Sequence, residues 1–293
     1  MVDLQLSPED ISFLSAQTGL DDVVELKSHI LQVQSEALDV HPFPCIRRFD
    51  FIRNQISSLP CYEIFIQRAK ERENSIFIDV GCCCGTDIRK VVADGVSAKN
   101  IVGTDLRPEF WDIGHRLYRS TPESFPVRFA AGDILDPSFL SLRDVVYEDE
   151  TSENSDAELS VHNLTSLTPL LGRVSFIHTA ALFHLFSEED QLLVAKRFAS
   201  LLSPVPGSMI FGWHAGRVVK GFRSEAKPAG PGMLGNNMFC HSPESWKEMW
   251  SQQVFRPGTV SVEATLIEKV RDVELVVQST ATPQYLVWSV TRL

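Results

Sequence analysis

No run in this 293-residue chain approaches the roughly 18 to 20 apolar residues that a membrane-spanning helix requires. The opening "MVDLQLSPED" has neither the basic start nor the apolar stretch of a secretory signal. These two absences lead to the expectation of a soluble, cytoplasmic protein with no membrane insertion. Positive charge is also scarce: 27 Lys and Arg stand against 38 Asp and Glu, for a net charge of −11. No basic stripe interleaves with aromatics. Phosphate binding needs concentrated Lys and Arg, so nucleic acid is not an expected partner. Cysteine is present only as Cys45, Cys61, Cys82, Cys83, Cys84 and Cys240. That spacing is not a disulfide framework, and no Cys or His stands at zinc-ligand spacing beside the triplet. No metal site is expected.

What is present is an ordinary globular composition, 44% hydrophobic, able to bury a sizeable core. The acidity is partly local: Glu148, Asp149, Glu150, Glu153, Asp156 and Glu158 crowd one stretch that reads as a solvated or disordered loop. Ser7-Pro8-Glu9 caps a first helix. Asp21 or Asp22 starts a longer one, with Val23, Val24, Leu26, Ile30, Leu31 and Val33 apolar. Pro42 and Pro44 break it, and helical spacing resumes at Ile46, Phe49, Ile52 and Ile56.

From about residue 73 strands and helices alternate. "SIFIDV" (75–80), "NIVGTD" (100–105), "PVRFAAGDI" (126–134), "RVSFIHTA" (173–180) and "SMIFGWH" (208–214) read as strands, the first a short apolar run without polar alternation, as in a buried parallel sheet. Helices are expected over Thr86 to Asp94 and from Ser187 to Leu202. Residues 215–241 are rich in Gly and Pro and read as a long loop, and Ser242-Pro243-Glu244 caps a helix carrying Trp246, Met249 and Trp250. Two β-rich segments, "TVSVEATLIEKV" and "YLVWSVTRL", end the chain with no helix between them, which suggests an antiparallel hairpin at the sheet edge. The expected class is α/β: a doubly wound, Rossmann-like sheet with an N-terminal helical cap, divided as 1–72 (cap and substrate lid) and 73–293.

"IFIDVGCCCGTDIRK" (76–90) places three cysteines in the turn from the first strand to its helix. Such a turn needs little bulk beside the backbone, which Gly81 and Gly85 supply and which small Cys permits. Asp79 and the loop amides are candidates for holding a charged small molecule. Asp105 ends the second strand, 24 residues after Gly81, where an acid commonly accepts from ribose hydroxyls. Asp133, in "GDI", is placed to accept from an adenine amino group with Ile134 beside the ring. Taken singly, each acid is as compatible with a turn or a helix cap. Three such features at successive strand ends point to a nucleotide-like ligand.

The order D-V-G-x-x-x-G, T-D-L, G-D-I and a closing β hairpin resembles the class I S-adenosylmethionine-dependent methyltransferases, over about residues 75 to 293. The resemblance implies a seven-stranded sheet of order 3-2-1-4-5-7-6 with strand 7 antiparallel. It also implies S-adenosylmethionine as cofactor, with Asp79, Gly81, Cys83 and Gly85 on the methionine side, Asp105 and Leu106 at the ribose, Asp133 and Ile134 at adenine, and His178 as a further contact. The chain departs from the usual glycine triad at Cys83. A narrower resemblance, carried by "HPFPCIRRF", "DVGCCCGTDIRKVVADG", "DLRPEFWDIGHRL" and "LFHLFSEEDQ…LLSPVPGSMIFG", is to fungal methyltransferases of meroterpenoid and polyketide pathways. It implies methyl ester formation on a small-molecule carboxylic acid.

A carboxylate acceptor is ionised at neutral pH and needs orientation without a base, whereas a phenol needs a base, most often His. His178 and His184 lie at and beyond the expected end of strand 4, and His184 is the candidate for orienting or deprotonating substrate. His214 is a weaker candidate. Arg47 and Arg48 are candidates for pairing with a substrate acid, and Met238, Phe239 and Trp246 for lining a lid. Three alternatives stay open: a phenol O-methyltransferase using a His base, a methyltransferase-fold cyclase or isomerase, and, disfavoured by the acidic pI and by "HTAA" after strand 4, a nucleic-acid or protein methyltransferase. A homodimer is left open. The cysteine thiols are expected to be reduced and idle, with only their small size in use.

Overall fold

Short apolar runs without polar alternation need cover on both faces, and here they become the centre of a sheet. In the computed structural model, which describes residues 4–147, 161–225, 234–268 and 284–293, β1 (Phe77–Val80) is buried at every position. It pairs in parallel with β2 (Ile101–Asp105) on one side and β4 (Phe176–Ala180) on the other. β3 (Arg128–Ala131) adds beyond β2, and β5 (Met209–Ala215) beyond β4, both parallel. A two-residue ladder of β6 (Gly221–Phe222) and β7 (Phe239–Cys240) stands apart. β8 (Val260–Glu268) and β9 (Gln284–Arg292) close the edge, with β9 antiparallel to both β5 and β8. The sheet order is β3-β2-β1-β4-β5-β9-β8. With the small ladder set aside, this is the expected 3-2-1-4-5-7-6.

The N-terminal helices start where their caps stand. Ser7 and Asp10 form a reciprocal capping box at α1 (Pro8–Thr18), which Gly19 ends in a left-handed conformation. Asp22 accepts from Val24 N–H and Glu25 N–H at the head of α2 (Val23–Val40). This helix buries Leu26, Ile30, Val33 and Ala37, one stripe at i, i+4, i+7 and i+11. Val24 and Leu31, counted from sequence among its apolar residues, lie off that stripe and are exposed. The helix expected over residues 46–56 does not form as one. A four-residue turn, α3 (Pro44–Arg47), stops at Phe49, whose φ of 60° no helix continues, and tight 3-10 turns follow at Asp50–Ile52 and Ile56–Ser58. Ile46, Phe49, Ile52 and Ile56 are all buried nonetheless. Their spacing reported burial, and the backbone found another way to deliver it.

Residues 4–52 share a core with α6 (Pro108–Leu117) and with Cys84. α4 (Tyr62–Glu71) behaves differently and packs on the sheet. Its Phe65 ring lies 5.0 Å from Phe77, 5.2 Å from Phe176 and 4.9 Å from Phe211. A fully buried side chain of this size stabilises by roughly 1.5 to 3 kcal/mol. The cap is tied to the helix after β1, α5 (Thr86–Ala93). Asp87 Oδ1 accepts from Gln55 N–H (2.7 Å) and Ile56 N–H (3.0 Å), and Thr86 Oγ1 donates to Phe51 O (2.6 Å). On the opposite face, Phe198 of α7 (Glu188–Leu201), Trp246 of α8 (Pro243–Glu248) and Trp250 just beyond it are buried in the core that includes β5 and β9 residues. α8 continues into wider turns over Met249–Val254. The acidic stretch 148–158, residues 226–233 of the Gly/Pro-rich loop, and Lys269 and Val270 of the penultimate strand lie outside the described residues.

α6 approaches the β1–α5 turn through Gly114. A Cβ there would stand 2.3 Å from Cys84 O, and a backbone atom cannot swing aside. Gly114→Ala is expected to destabilise the protein by about 2 to 4 kcal/mol in urea titration, despite the better helix propensity of Ala.

Candidate active site

The turn after β1 alternates hand. Gly81 (φ 76°), Cys83 (φ 49°) and Gly85 (φ 72°) are left-handed. That explains glycine at two positions and makes Cys83 the strained one, at a cost of about 1 to 2 kcal/mol. The loop amides are used within the fold. Gly81 and Cys82 N–H both donate to Thr104 O, at 2.8 and 3.1 Å, and Gly85 N–H donates to Cys82 O at 2.8 Å. Cys83 N–H donates to Asp105 Oδ2 at 2.9 Å. These amides were expected from sequence to bind a ligand directly, but the positive φ values turn them towards β2.

Asp105 is therefore first a clamp. Its Oδ1 accepts from Arg107 N–H (3.0 Å), and its own carbonyl accepts from Gly132 N–H (3.1 Å). Burial raises its pKa, partly offset by the two amides on the carboxylate. Each carboxylate oxygen has a second lone pair, so ribose hydroxyls remain within its capacity. Leu106 beside it is exposed. Asp133 stands two residues past β3, exposed, with Oδ1 accepting from Leu135 N–H at 2.8 Å. Ile134 is buried. A Cβ at Gly132 would lie 2.2 Å from the Phe139 ring, which accounts for the glycine of "GDI".

His178 is not at a strand end. It lies in mid-strand beside Asp79, wholly buried, and its Nδ1 bonds Asp79 Oδ1 at 2.8 Å. Burial lowers the His178 pKa, but Asp79 raises it further, and the net shift is upward. The ring therefore pairs with Asp79 inside the sheet.

The turn thus brings Asp79, Gly81, Cys83, Gly85 and Asp105 together at the ends of β1 and β2, with Gly132–Ile134 tied alongside at the end of β3. A family model described as the meroterpenoid methyltransferase N-terminal domain matches residues 2–52. The chain is 30% identical over 229 residues to the Asnovolin E/Chermesin D methyltransferase nvfJ of Aspergillus novofumigatus (strain IBT 16806), covering 78% of this chain and 70% of that protein. The chain belongs to the fungal meroterpenoid methyltransferase family. It is also 31% identical to the O-methyltransferase phiE of Fungal sp. (strain ATCC 74256), over 78% of this chain and 66% of that one. With the O-methyltransferase atr3 of Stereocaulon alpinum it shares 30% identity, over 83% and 61%. The chain thus spans about two thirds of the length of the curated relatives it matches.

The residues of this family member fit S-adenosylmethionine. Asp105 and Asp133 offer acceptors suited to ribose hydroxyls and an amino group, with the buried Asp79 carboxylate behind them. A Cβ at Gly81 would meet only Leu182 Cδ1 within 4 Å, at 3.4 Å, so the glycine leaves the turn open on that side.

At the ends of β4 and β5 lie three histidines. His184 Nδ1 accepts from Ala215 N–H at 3.2 Å. His214 Nδ1 accepts from Trp288 Nε1–H at 3.0 Å, inside a cluster of Phe183, Trp246 and Trp288 rings. His241 Nδ1 bonds Ser245 Oγ at 2.9 Å. Burial pushes His214 well below its usual pKa, helped by His184 and His241, and pushes His241 down to about 4. Trp246, expected from sequence to line a lid, is fully buried core, and Phe239 is buried as well. Arg47 donates to Pro42 O, and Arg48 pairs with Asp50 at 3.1 Å, so both serve the cap. Among the described residues no group of His, Cys, Asp and Glu is arranged to hold a metal. All six cysteines are free. Cys83 Sγ and Cys84 Sγ lie 3.9 Å apart, and Cys82 and Cys83 have raised pKa values, Cys82 mainly through burial and Cys83 mainly through its hydrogen bond to Cys84. Sequence reasoning missed Gly114 and Arg197, which pack on or bond the loops at the strand ends, and Asp87, which ties α5 to the cap. The only signal was a Gly inside a helix pattern and charges on otherwise apolar faces.

Two outcomes follow. Cys83→Gly removes the left-handed strain and is expected to raise stability by about 0.5 to 1 kcal/mol, the added unfolded-state freedom of Gly taking back part of the gain, as read by chemical denaturation. His241 and His214 bind protons more readily when unfolded. Their contribution is therefore complete above about pH 6.5 and lost as pH falls towards 4. Melting temperatures at pH 7, 6, 5 and 4.5 should fall, and fall less in His241→Gln.

Proposed function

We propose that this protein is an S-adenosylmethionine-dependent O-methyltransferase that forms a methyl ester on a carboxylate of a fungal meroterpenoid or polyketide acid. Family membership and the carboxylates of Asp105 and Asp133, with Asp79 buried behind them, support the cofactor. When bound, S-adenosylmethionine supplies a methyl group on a cationic sulfonium. Asp79 and Asp105 hold the methionine and ribose sides, Asp133 and Ile134 the adenine side, and His178 keeps Asp79 oriented.

The observation that carries the choice of acceptor is the hydrogen bond that His184 Nδ1 accepts from the backbone. Its Nδ1 takes the Ala215 N–H, so the neutral ring carries its proton on Nε2. A ring in that state has no lone pair on Nε2 with which to abstract a proton. This suits a carboxylate, which arrives ionised and needs only alignment and exclusion of water. It does not suit a phenol, which must lose a proton to a base.

Purified protein incubated with methyl-labelled S-adenosylmethionine is expected to label aryl-polyketide and terpenoid acids as base-labile esters. Activity on the acid should stay flat from pH 6.5 to 9. His184→Gln, which keeps a donor, should retain more than His184→Ala, whose loss is about 10- to 100-fold in kcat/KM. Labelling of phenols alone, or a rising limb near pH 6.5 that disappears in His184→Gln, overturns the ester reading. A rearranged, unlabelled product overturns methyl transfer itself.

A further inference from the structure

Arg197 sits on the face of α7 that packs into the core, and only 5% of it is exposed. An apolar side chain would fill that place without the cost of burying a guanidinium. What the arginine does there is specific. Its Nη1 donates to Ile134 O at 2.7 Å, across 63 positions of sequence. Ile134 and Leu135 share one peptide plane, and in a trans peptide C=O and N–H point in opposite directions. The N–H at the far end of that plane, on Leu135, donates to Asp133 Oδ1 at 2.8 Å. A single rigid unit therefore connects the guanidinium to the Asp133 carboxylate. With Oδ1 engaged, the carboxylate's rotation is set, and Oδ2 keeps its lone pairs for a further donor. The other end of the segment is also fixed, since Gly132 N–H bonds Asp105 O and Asp136 N–H bonds Asp133 O at 3.0 Å.

We propose that Arg197 is a positioning residue for base recognition: by holding the Ile134 carbonyl it orients the Asp133 carboxylate to accept from the exocyclic amino group of the cofactor's adenine. This rests on the placement of adenine at Asp133 and Ile134 in the proposed function. A carboxylate so fixed favours a base with an amino group at that position over one with a carbonyl there. Arg197 thus contributes to the choice between bases without touching either.

The test compares binding of S-adenosylhomocysteine and S-inosylhomocysteine, which differ in that group and in the proton that the oxo form carries on the adjacent ring N1, by calorimetry. The wild-type protein is expected to prefer the adenosyl compound by at least about tenfold, the value of one charge-assisted hydrogen bond. Arg197→Met should shrink the preference to about threefold or less, and Arg197→Lys should restore part of it. Asp133→Asn should shrink it similarly, with no further change in the Arg197→Met/Asp133→Asn double variant. A merely structural arginine would lower the melting temperature and leave the ratio of the two affinities unchanged. An unchanged ratio in Arg197→Met, or in Arg197→Lys and Arg197→Gln should the Met variant not fold, overturns the proposal. Tight binding of S-adenosylhomocysteine by wild type without preference instead overturns the placement of adenine at Asp133. Failure of wild type to bind either compound overturns the cofactor itself.

Discussion

Asp105 collects three backbone amides that no regular element can satisfy. Its carboxylate takes one from the β1–α5 turn and one from the start of α6, and its carbonyl takes one from the segment after β3. Three parallel strands end side by side, and each sends its chain in a different direction. Without a common acceptor those ends would splay, and their amides would be left to water. With it, the loop after β1, the entry to α6 and the Gly132–Ile134 segment form one rim. Asp133 and Ile134, proposed for adenine, and Asp105, proposed for ribose, belong to that rim. Burial raises the pKa of this carboxylate, so the rim is assembled at some electrostatic cost, offset by the amides it gathers.

Behind the rim the same logic recurs with buried charge. His178 sits opposite Asp79 in the centre of the sheet, where an unpaired carboxylate would be far more costly than a paired one. Asp87 turns its carboxylate outward to two amides of the cap, and Thr86 reaches Phe51 from the same turn of helix. The first turn of α5 thereby joins the cofactor loop to the cap. The cap's own core runs through α6 to Cys84. Binding rim and cap are consequently built as one body, in keeping with a site that must exclude water from a reactive methyl group.

Much of this was legible in the chain, for identifiable reasons. "SIFIDV" and "SMIFGWH" have no polar alternation, and only a strand covered on both faces tolerates that. The caps at Ser7, Asp22, Ser187 and Ser242 act within a few residues, so helix starts were readable to within about a residue. The failures share a different cause. Ile46, Phe49, Ile52 and Ile56 keep a helical spacing but reach the core through tight turns, because periodicity reports which side is buried and not which backbone delivers it. Trp246 resembled a lid residue because its sequence neighbours are loop-like. In the fold it meets Phe183, His214 and Trp288 from three other elements.

The triple cysteine marks the division. Sequence alone determined that a tight, small-residue turn joins the first strand to its helix, that acids follow at the ends of the next two strands, and that no metal-ligand spacing accompanies the thiols. Those are local properties, set by side-chain size, backbone freedom and spacing along one chain. Only the tertiary structure decided that Cys83 must be left-handed, that its amide is spent on Asp105, that His178 pairs with Asp79, and that Arg197 reaches back to Ile134. Each of these depends on a hydrogen bond between groups 22 to 99 positions apart. A buried donor takes whichever acceptor the packed strands and helices bring within about 3 Å, and residue order does not state that distance.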